Sequence, residues 1–302
     1  MPHESLTILL AGASGMIGEP LKALLAQQGH HLHTLVRREP RSPTEHQWDP
    51  HRGTIDSGII NTVDVVVNLA GASIGKIPWT KKHKALILSS RRETTRTLAG
   101  AIAASRTPPR AFVQGSAVGF YGERGTEELD EKSAAGTGFL ADVVIAWEDE
   151  TSQASTPKTR VILGRTGLVV GKGGAMAPLT LQTSLGVAGP IGPGTQWWPW
   201  ISLHDEIRAL AFLVSHASAS GIYNLVGPTP ARANTLTRTL ARAMRRPHWL
   251  GLPRVFISWL MGEGGESLLL TSQKIHSTEL QNLGFSFDDG TIEEAIERLV
   301  DS

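Results

Sequence analysis

Residues 6–18 read LTILLAGASGMIG, and how this stretch folds decides how the rest of the chain must be arranged. Residues 6–11 are a short continuous apolar run, the pattern of a parallel strand buried on both faces. Gly12, Gly15 and Gly18 follow at G-x-x-G-x-x-G spacing. Ile17, Leu21, Leu24 and Leu25 then recur at helical intervals up to Gly29, which suits a helix C-terminus. Strand, glycine turn and helix in direct succession form a βα unit. Without Cβ atoms the turn can bend sharply and admit an anion close to the backbone, towards which the first N–H groups of the helix point. Glycine spacing alone is weak in a chain with 32 glycines. The apolar strand before it and the amphipathic helix after it give it weight. The alternative is a tight βα turn with no ligand.

Working outward, the alternation continues. Strands are expected at 33–36, 63–69 (VDVVVNL), 111–114 and 160–163, and helices at 94–104 and 139–151, with a break at Pro108-Pro109. Strands alternating with helices, joined by right-handed crossovers, predict an α/β fold: a doubly wound parallel sheet of Rossmann type. Near Gly171 the composition turns rich in Gly, Pro and Trp, so residues 171–200 are expected as loop and lobe. Residues 221–226 (GIYNLV) return a strand to the main sheet. Residues 228–302 are expected to be mainly helical, with Leu236, Leu240 and Ala243 on one apolar face and Ile292, Ala295, Ile296 and Leu299 on another. The division expected is a dinucleotide-binding domain over 1–171 and a smaller C-terminal lobe over 172–302.

The 302 residues suffice for such a domain and lobe. Net charge is +1, from 29 basic and 28 acidic residues, and the basic ones are scattered, so no strong field draws the chain to nucleic acid. The absence of cysteine excludes disulfides, thiolate metal sites and a cysteine nucleophile, and fits a reducing compartment. No run of about 18 apolar residues occurs, and residues 1–5 lack a basic segment leading into one, so a cytoplasmic protein with no membrane partner is expected. The eleven histidines are dispersed and no metal site is expected; Gly-x-Ser-x-Gly is absent, which argues against a serine hydrolase.

The end of the second strand discriminates between nicotinamide cofactors. An acidic residue there binds a ribose 2′-hydroxyl, whereas arginine accommodates a 2′-phosphate. Here Val36-Arg37-Arg38 stands about 20 residues past the last cradle glycine, and guanidinium forks match phosphate oxygens. NADP(H) is therefore the expected cofactor, against the alternative of two solvated surface arginines.

The glycine cradle, Asn68-Leu69-Ala70-Gly71 and SAVGFYG at 116–122 resemble the extended short-chain dehydrogenase/reductases, the superfamily of nucleotide-sugar epimerases. More narrowly, Trp48-Asp49-Pro50, Ser90-Arg91, Trp147-Glu148 and Gly194-x-Gln196 resemble the atypical "epimerase family protein" group. So does the tail, with Asn224, Arg246-Pro247, Gly262-Glu263 and Leu283-Gly284-Phe285. In that group an extended-reductase core carries a C-terminal domain of unknown function. The resemblance covers essentially the whole chain. It implies that Ser14, Gly15, Met16 and Ile17 line the pyrophosphate and that Arg37 and Arg38 meet the 2′-phosphate. It places Asp49 near the adenine, Leu69, Ala70 and Gly71 beneath the adjoining ribose, and Arg91 along the cofactor. Thr166, Gly167 and Leu168 follow the strand whose end meets the nicotinamide. Trp48 and Asp49 equally suit a turn with a packed indole.

Members of that superfamily reduce carbonyls with a Tyr-x-x-x-Lys pair and a serine, the lysine lowering the tyrosine pKa. This chain has two tyrosines, Tyr121 and Tyr223, and four residues beyond them stand Gly125 and Gly227. The pair is absent. In the helix where it belongs, Phe139 and Val143 have the right separation and neither transfers a proton. The usual serine position falls on Ala117, with Ser116 one residue earlier. Tyr121 and Ser116 are thus the remaining catalytic candidates, with Glu123, His204 and Asp205 behind them; residues 201–206 (ISLHDE) resemble a segment that organises the lobe junction. Gln196, Trp197 and Trp198, with Trp200 nearby, could bind a ring-shaped substrate or pin their loop to the core. Three uses of the cofactor stay open: an oxidoreductase acting on a small molecule, a non-catalytic sensor or scaffold, and an epimerase working by transient oxidation. The oligomeric state is left undecided.

Overall fold

A computed structural model describes residues 4–301. The chain opens with β1 (Thr7–Ala11), α1 (Gly18–Gln27), β2 (His31–Val36), β3 (Glu45–Asp49), β4 (Thr54–Ile55), α2 (Ser57–Ile60) and β5 (Val65–Asn68). It continues through α3 (Lys81–Ala104), β6 (Ala111–Ala117), β7 (Glu128–Leu129), α4 (Phe139–Asp149), β8 (Arg160–Thr166) and β9 (Leu168–Val170). Then come α5 (Met176–Ser184), β10 (Trp197–Trp198), β11 (Trp200–Ser202), α6 (Leu203–Ser215), β12 (Gly221–Leu225) and β13 (Ala231–Arg232). The last elements are α7 (Ala233–Ala243), α8 (Arg254–Gly265), β14 (Lys274–Ile275), α9 (Thr278–Asn282) and α10 (Ile292–Asp301).

Eight strands form the main sheet in the order β12-β8-β6-β5-β1-β2-β3-β4. All neighbours run parallel except β4, which turns back against β3. The chain starts in the middle, winds outward through β2 and β3, then returns to β5 on the other side of β1. This is the doubly wound arrangement the sequence predicts. Its switch point lies between β1 and β5, where such sheets open a crevice at their carboxyl ends.

Both faces of the sheet are covered, which is why β1 and β5 are apolar on both sides. One face packs on Leu21 and Leu25 of α1 and on Leu210, Leu213 and Val214 of α6. The other packs on Leu98 and Ile102 of α3, with Phe112 and the Trp48 indole. In the C-terminal lobe, the two apolar faces foreseen on α7 and α10 meet one another: Leu236 and Leu240 share a core with Ile292, Ile296 and Leu299. Each such buried aliphatic side chain contributes about 1.5–3 kcal/mol.

Three stretches depart from expectation. Helix α3 starts at Lys81 with Thr80 as its cap, accepting from the His83 N–H, because its mostly polar first half hides the helical stripe. Residues 45–49 form a strand, although EHQWD has one apolar residue and an Asp-Pro stop. Within 171–200, α5 and the short strands β10 and β11 form, β11 pairing with β9 and β10 with β13. The strand expected near 221 does pair parallel to β8. Among the described residues no helix is long and apolar enough to cross a membrane.

Candidate functional site

The three cradle glycines are present for different reasons. Gly12 has φ +82°, and a Cβ there would fall 2.7 Å from the carbonyl of Leu69. A Cβ on Gly18 would fall 2.1 Å from the Gly12 oxygen. Both positions are demanded by the chain's own packing. Gly15 is not: a Cβ there meets one atom within 4 Å, the Gly12 oxygen at 3.3 Å. The bare face of Gly15 is space the protein leaves open. Beside it Ile17 caps α1 without any side-chain hydrogen bond; Glu19 donates its N–H to the Gly15 oxygen at 3.0 Å and Pro20 has none, which leaves the Gly18 N–H at the helix start for another acceptor. Met16 reaches across to the lobe, since a Cβ on Gly174 would lie 2.7 Å from its sulfur.

The loop after β5 closes the other side of the crevice. Leu69 donates its N–H to the Ala11 oxygen at 2.9 Å, and Ala70 donates to Asn68 Oδ1 at 3.1 Å. Asn68 is itself fixed by its amide, which donates to Gln114 Oε1 at 3.0 Å. Gly71 lies against Arg91, with its hypothetical Cβ 3.4 Å from Arg91 Cγ. Arg91 donates to the carbonyls of Ala72 (3.0 Å) and Ile87 (3.2 Å) and stands over the Trp147 ring. Burial pushes it down to about 10, and no carboxylate pairs with it among the described residues. A largely buried cation with only carbonyl partners suits an anionic ligand.

At the end of β2 the two arginines separate. Arg38 is clamped by Glu45 through two hydrogen bonds of 2.7 and 2.6 Å, which hold the Glu45 carboxyl down to about 2. Arg37 is exposed and has no partner among the described residues. Asp49 takes the turn role: its Oδ1 accepts from the N–H groups of His51 (3.1 Å) and Arg52 (3.3 Å), beneath a buried Trp48.

The catalytic candidates end up inside a closed network. Ser116, Arg165 and Asn224 are register neighbours on β6, β8 and β12, so their side chains lie on one face of the sheet. Ser116 Oγ donates to Glu148 of α4 at 2.5 Å, and Arg165 grips the same carboxylate from Nε and Nη2 at 2.8 and 2.7 Å. Arg165 also donates to Tyr121 Oη at 3.0 Å, and Tyr121 donates to Asn224 Oδ1 at 2.8 Å. Tyr121 is fully buried, and that burial pushes its phenol above the ordinary value, only partly offset by Arg165. Both catalytic candidates lie within this network. Tyr121 has no open side from which to give a proton, and the Ser116 hydroxyl is committed to Glu148. Phe139 packs edge-on against Trp79 at 5.3 Å, and Val143 is buried.

The secondary candidates are structural as well. Glu123 accepts from the N–H groups of Gly125 (2.9 Å) and Ser272 (2.7 Å). Asp205 accepts from Asp288 and Asp289 N–H at 3.1 and 2.9 Å and pairs with Arg208, tying α6 to the lobe. His204 pairs with Asp288 at 2.8 Å. His204, Asp205 and Asp288 are the one group with metal-like spacing among the described residues, and they already answer one another and Arg208. Gln196 donates to the carbonyls of Ile191 (3.0 Å) and Leu269 (2.8 Å), and Trp198 is buried in the lobe core. These two pin the loop to the lobe core. Trp197 stays half-buried, with the Arg232 guanidinium 4.3 Å from its ring centre.

Thr166 donates to Glu206 Oε1 at 2.8 Å, while Gly167 and Leu168 hold the lobe: a Cβ on Gly167 would fall 2.4 Å from the Pro199 oxygen. Glu206 is fully buried, its second oxygen has no partner, and burial pushes it up to about 8. Sequence reasoning missed it, although helical spacing puts Glu206 in line with the buried Leu210 and Leu213. Glu148, Arg165 and Asn224 were missed as a set because they lie far apart in the chain.

The chain is similar to known proteins along almost its whole length. Residues 8–226 match the model of the NAD dependent epimerase/dehydratase family, and residues 252–299 match a domain of unknown function (DUF1731). An epimerase family protein of Mycobacterium leprae is 39% identical over 290 residues, covering 96% of this chain and 94% of that protein. A human epimerase family protein (isoform 2), solved with NADPH, superposes with a TM-score of 0.90 at 29% identity, over 98% of this chain and 99% of the human one. A nucleoside-diphosphate sugar epimerase from Corynebacterium glutamicum gives 0.81 at 33% identity, over 99% of this chain and 59% of that one. The chain belongs to the NAD dependent epimerase/dehydratase family and carries the domain of unknown function in its C-terminal lobe.

Proposed function

We propose that this protein binds NADP(H) at the carboxyl ends of β1, β2 and β5 and acts as an oxidoreductase on a small carbonyl, alcohol or nucleotide-sugar-like substrate. The observation that carries the reading is Gly15, where a Cβ would meet a single atom, the Gly12 oxygen at 3.3 Å, against the 2.1–2.7 Å clashes that fix Gly12 and Gly18. Ser14, Gly15, Met16 and Ile17 would hold the pyrophosphate at the open end of α1. Arg37 would meet the 2′-phosphate, with Arg38 held in place behind it by Glu45. Asp49 would stand at the adenine edge, Leu69, Ala70 and Gly71 under the ribose, and Thr166, Gly167 and Leu168 near the nicotinamide. Arg91 would supply positive charge along the cofactor, in a setting where its burial strengthens any contact with an anion. The NADPH in the human relative supports the choice of cofactor. When bound, the nicotinamide supplies or accepts hydride. With Tyr121 and Ser116 committed to their own network, proton transfer falls to another group or to water.

That same closed network favours a second reading, a cofactor-responsive sensor or scaffold without turnover. Screening for NADPH oxidation against small carbonyl compounds separates the two uses. The binding itself is tested by titrating NADPH calorimetrically into the wild type and Gly15→Val. The variant should keep its circular dichroism and lose at least about a hundredfold in affinity, because the branched side chain fills the pyrophosphate approach. Unchanged affinity in a folded variant would put the cofactor somewhere else.

A further inference from the structure

Acidic and basic residues balance over the whole chain but not along it. Between Glu206 and Glu263 there is no Asp or Glu, while seven arginines fall in that interval. Five of them, Arg238, Arg242, Arg245, Arg246 and Arg254, are exposed, and none has a carboxylate partner among the described residues. The same interval holds six of the twelve exposed large apolar side chains of the described residues: Trp249, Leu250, Val255, Phe256, Trp259 and Leu260. Trp259 is 81% exposed and Val255 76%.

Four of these side chains share one face of α8. Val255, Phe256, Trp259 and Leu260 fall at i, i+1, i+4 and i+5, a single stripe of α8. The helix is anchored from elsewhere on its surface, by the buried Ile257 and by Gly264, whose hypothetical Cβ lies 3.1 Å from the Trp79 ring. Trp249 and Leu250 are held at the entry to α8, where Trp249 Nε1 donates to the Gly186 oxygen at 3.0 Å and Leu252 bridges to Ile191. Arg254 opens the helix and Arg245-Arg246 precede the entry.

An apolar patch of this kind on a soluble surface calls for a partner. A second copy is disfavoured, since the segment between Glu206 and Glu263 carries unpaired arginines and no carboxylate to meet them in a two-fold contact. A partner that is anionic at its surface and apolar beneath fits both halves of the face, the guanidinium groups staying at the charged level while indole and aliphatic groups go deeper. We propose that α8 and its entry segment dock this protein peripherally on a bilayer surface rich in anionic lipid. The expectation of no membrane partner rested on the absence of a spanning segment, and a surface-docked helix needs none.

Flotation of the full chain with vesicles of phosphatidylcholine plus phosphatidylglycerol, against phosphatidylcholine alone, tests this. Binding should need the anionic lipid and weaken as ionic strength rises. The double variant Arg245→Ala, Arg246→Ala should lose about fivefold per arginine. Phe256→Ser with Trp259→Ser should lose more than about tenfold, both variants keeping the wild-type melting curve, as expected of exposed positions. Three results would overturn the proposal: no flotation with anionic vesicles, equal flotation of wild type and variants, or a wild-type dimer in sedimentation that Phe256→Ser with Trp259→Ser dissolves, which would give the face to a second copy.

Discussion

The two ends of the crevice treat their polar groups in opposite ways. At β1 and β2 the backbone of Gly15 is bare, the α1 N-terminus lacks a side-chain cap and Arg37 reaches solvent alone. At β6 and β8 the Ser116 hydroxyl, the Glu148 carboxylate, the Arg165 guanidinium and the Tyr121 phenol all find partners within the protein. Both ends carry the residue types that belong to chemistry, so residue type alone does not tell them apart. Groups left unanswered in a crevice are available to a ligand. Groups that satisfy one another in the interior rigidify the sheet and are not free to react.

If that contrast is right, breaking the closed end should cost stability and leave the open end untouched. Glu148→Ala would strand Arg165, which is 2% exposed, as an unpaired buried charge. Urea or thermal unfolding should show a loss of about 3–5 kcal/mol, with NADPH affinity within twofold of wild type. A matching fall in NADPH affinity would mean the two ends are coupled.

Glu206 sharpens the comparison by its pH dependence. Its carboxyl moves from an ordinary 4.5 to about 8 in the folded protein. The unfolded chain releases this proton near pH 4.5 and the folded one near 8, so the folded state binds the extra proton between them. Its stabilising contribution is complete below about pH 4.5 and is lost as pH rises to about 8, at about 1.4 kcal/mol per pH unit. Glu206→Gln removes that slope, so its stability relative to wild type should improve steadily from pH 5 to 8 in parallel melts. A constant difference across that range would contradict a buried neutral carboxyl. The smallest effect belongs to Tyr121→Phe, which deletes one buried hydroxyl and should cost about 1 kcal/mol of stability, with cofactor affinity and any turnover unchanged.

The sheet and its cradle were legible because short, β-branched apolar runs such as VDVVVNL suit buried strands, and because G-x-x-G-x-x-G sits between one such run and a helix. Strand β3 was illegible: at the rim, with β4 alone beyond it, its EHQWD sequence need not be apolar on both faces. Helix α5 was hidden by the glycine and proline around it. The cofactor end could be proposed from spacing within 40 residues, whereas the split between a clamped Arg38 and a free Arg37 depends on Glu45 arriving on the neighbouring strand. The closed network was beyond reach for the same reason. Ser116, Arg165 and Asn224 become neighbours only through the register of three strands. Absence was easier to read than presence: the missing Tyr-Lys pair is evident from two tyrosines and the glycines four residues after them. The acid-free interval before Glu263 was equally plain, but it shows only when carboxylates are looked for instead of runs of lysine and arginine.

The open end is tested most directly by calorimetric titration of NADPH and NADH into the wild type, Arg37→Ala and Arg38→Ala. NADPH should bind the wild type more tightly than NADH. Arg37→Ala should lose about 1.5–3 kcal/mol for NADPH and almost nothing for NADH, while Arg38→Ala, whose guanidinium is already held by Glu45, should lose less. Equal affinity of the wild type for the two nucleotides would contradict the assignment of the β2 end to a 2′-phosphate.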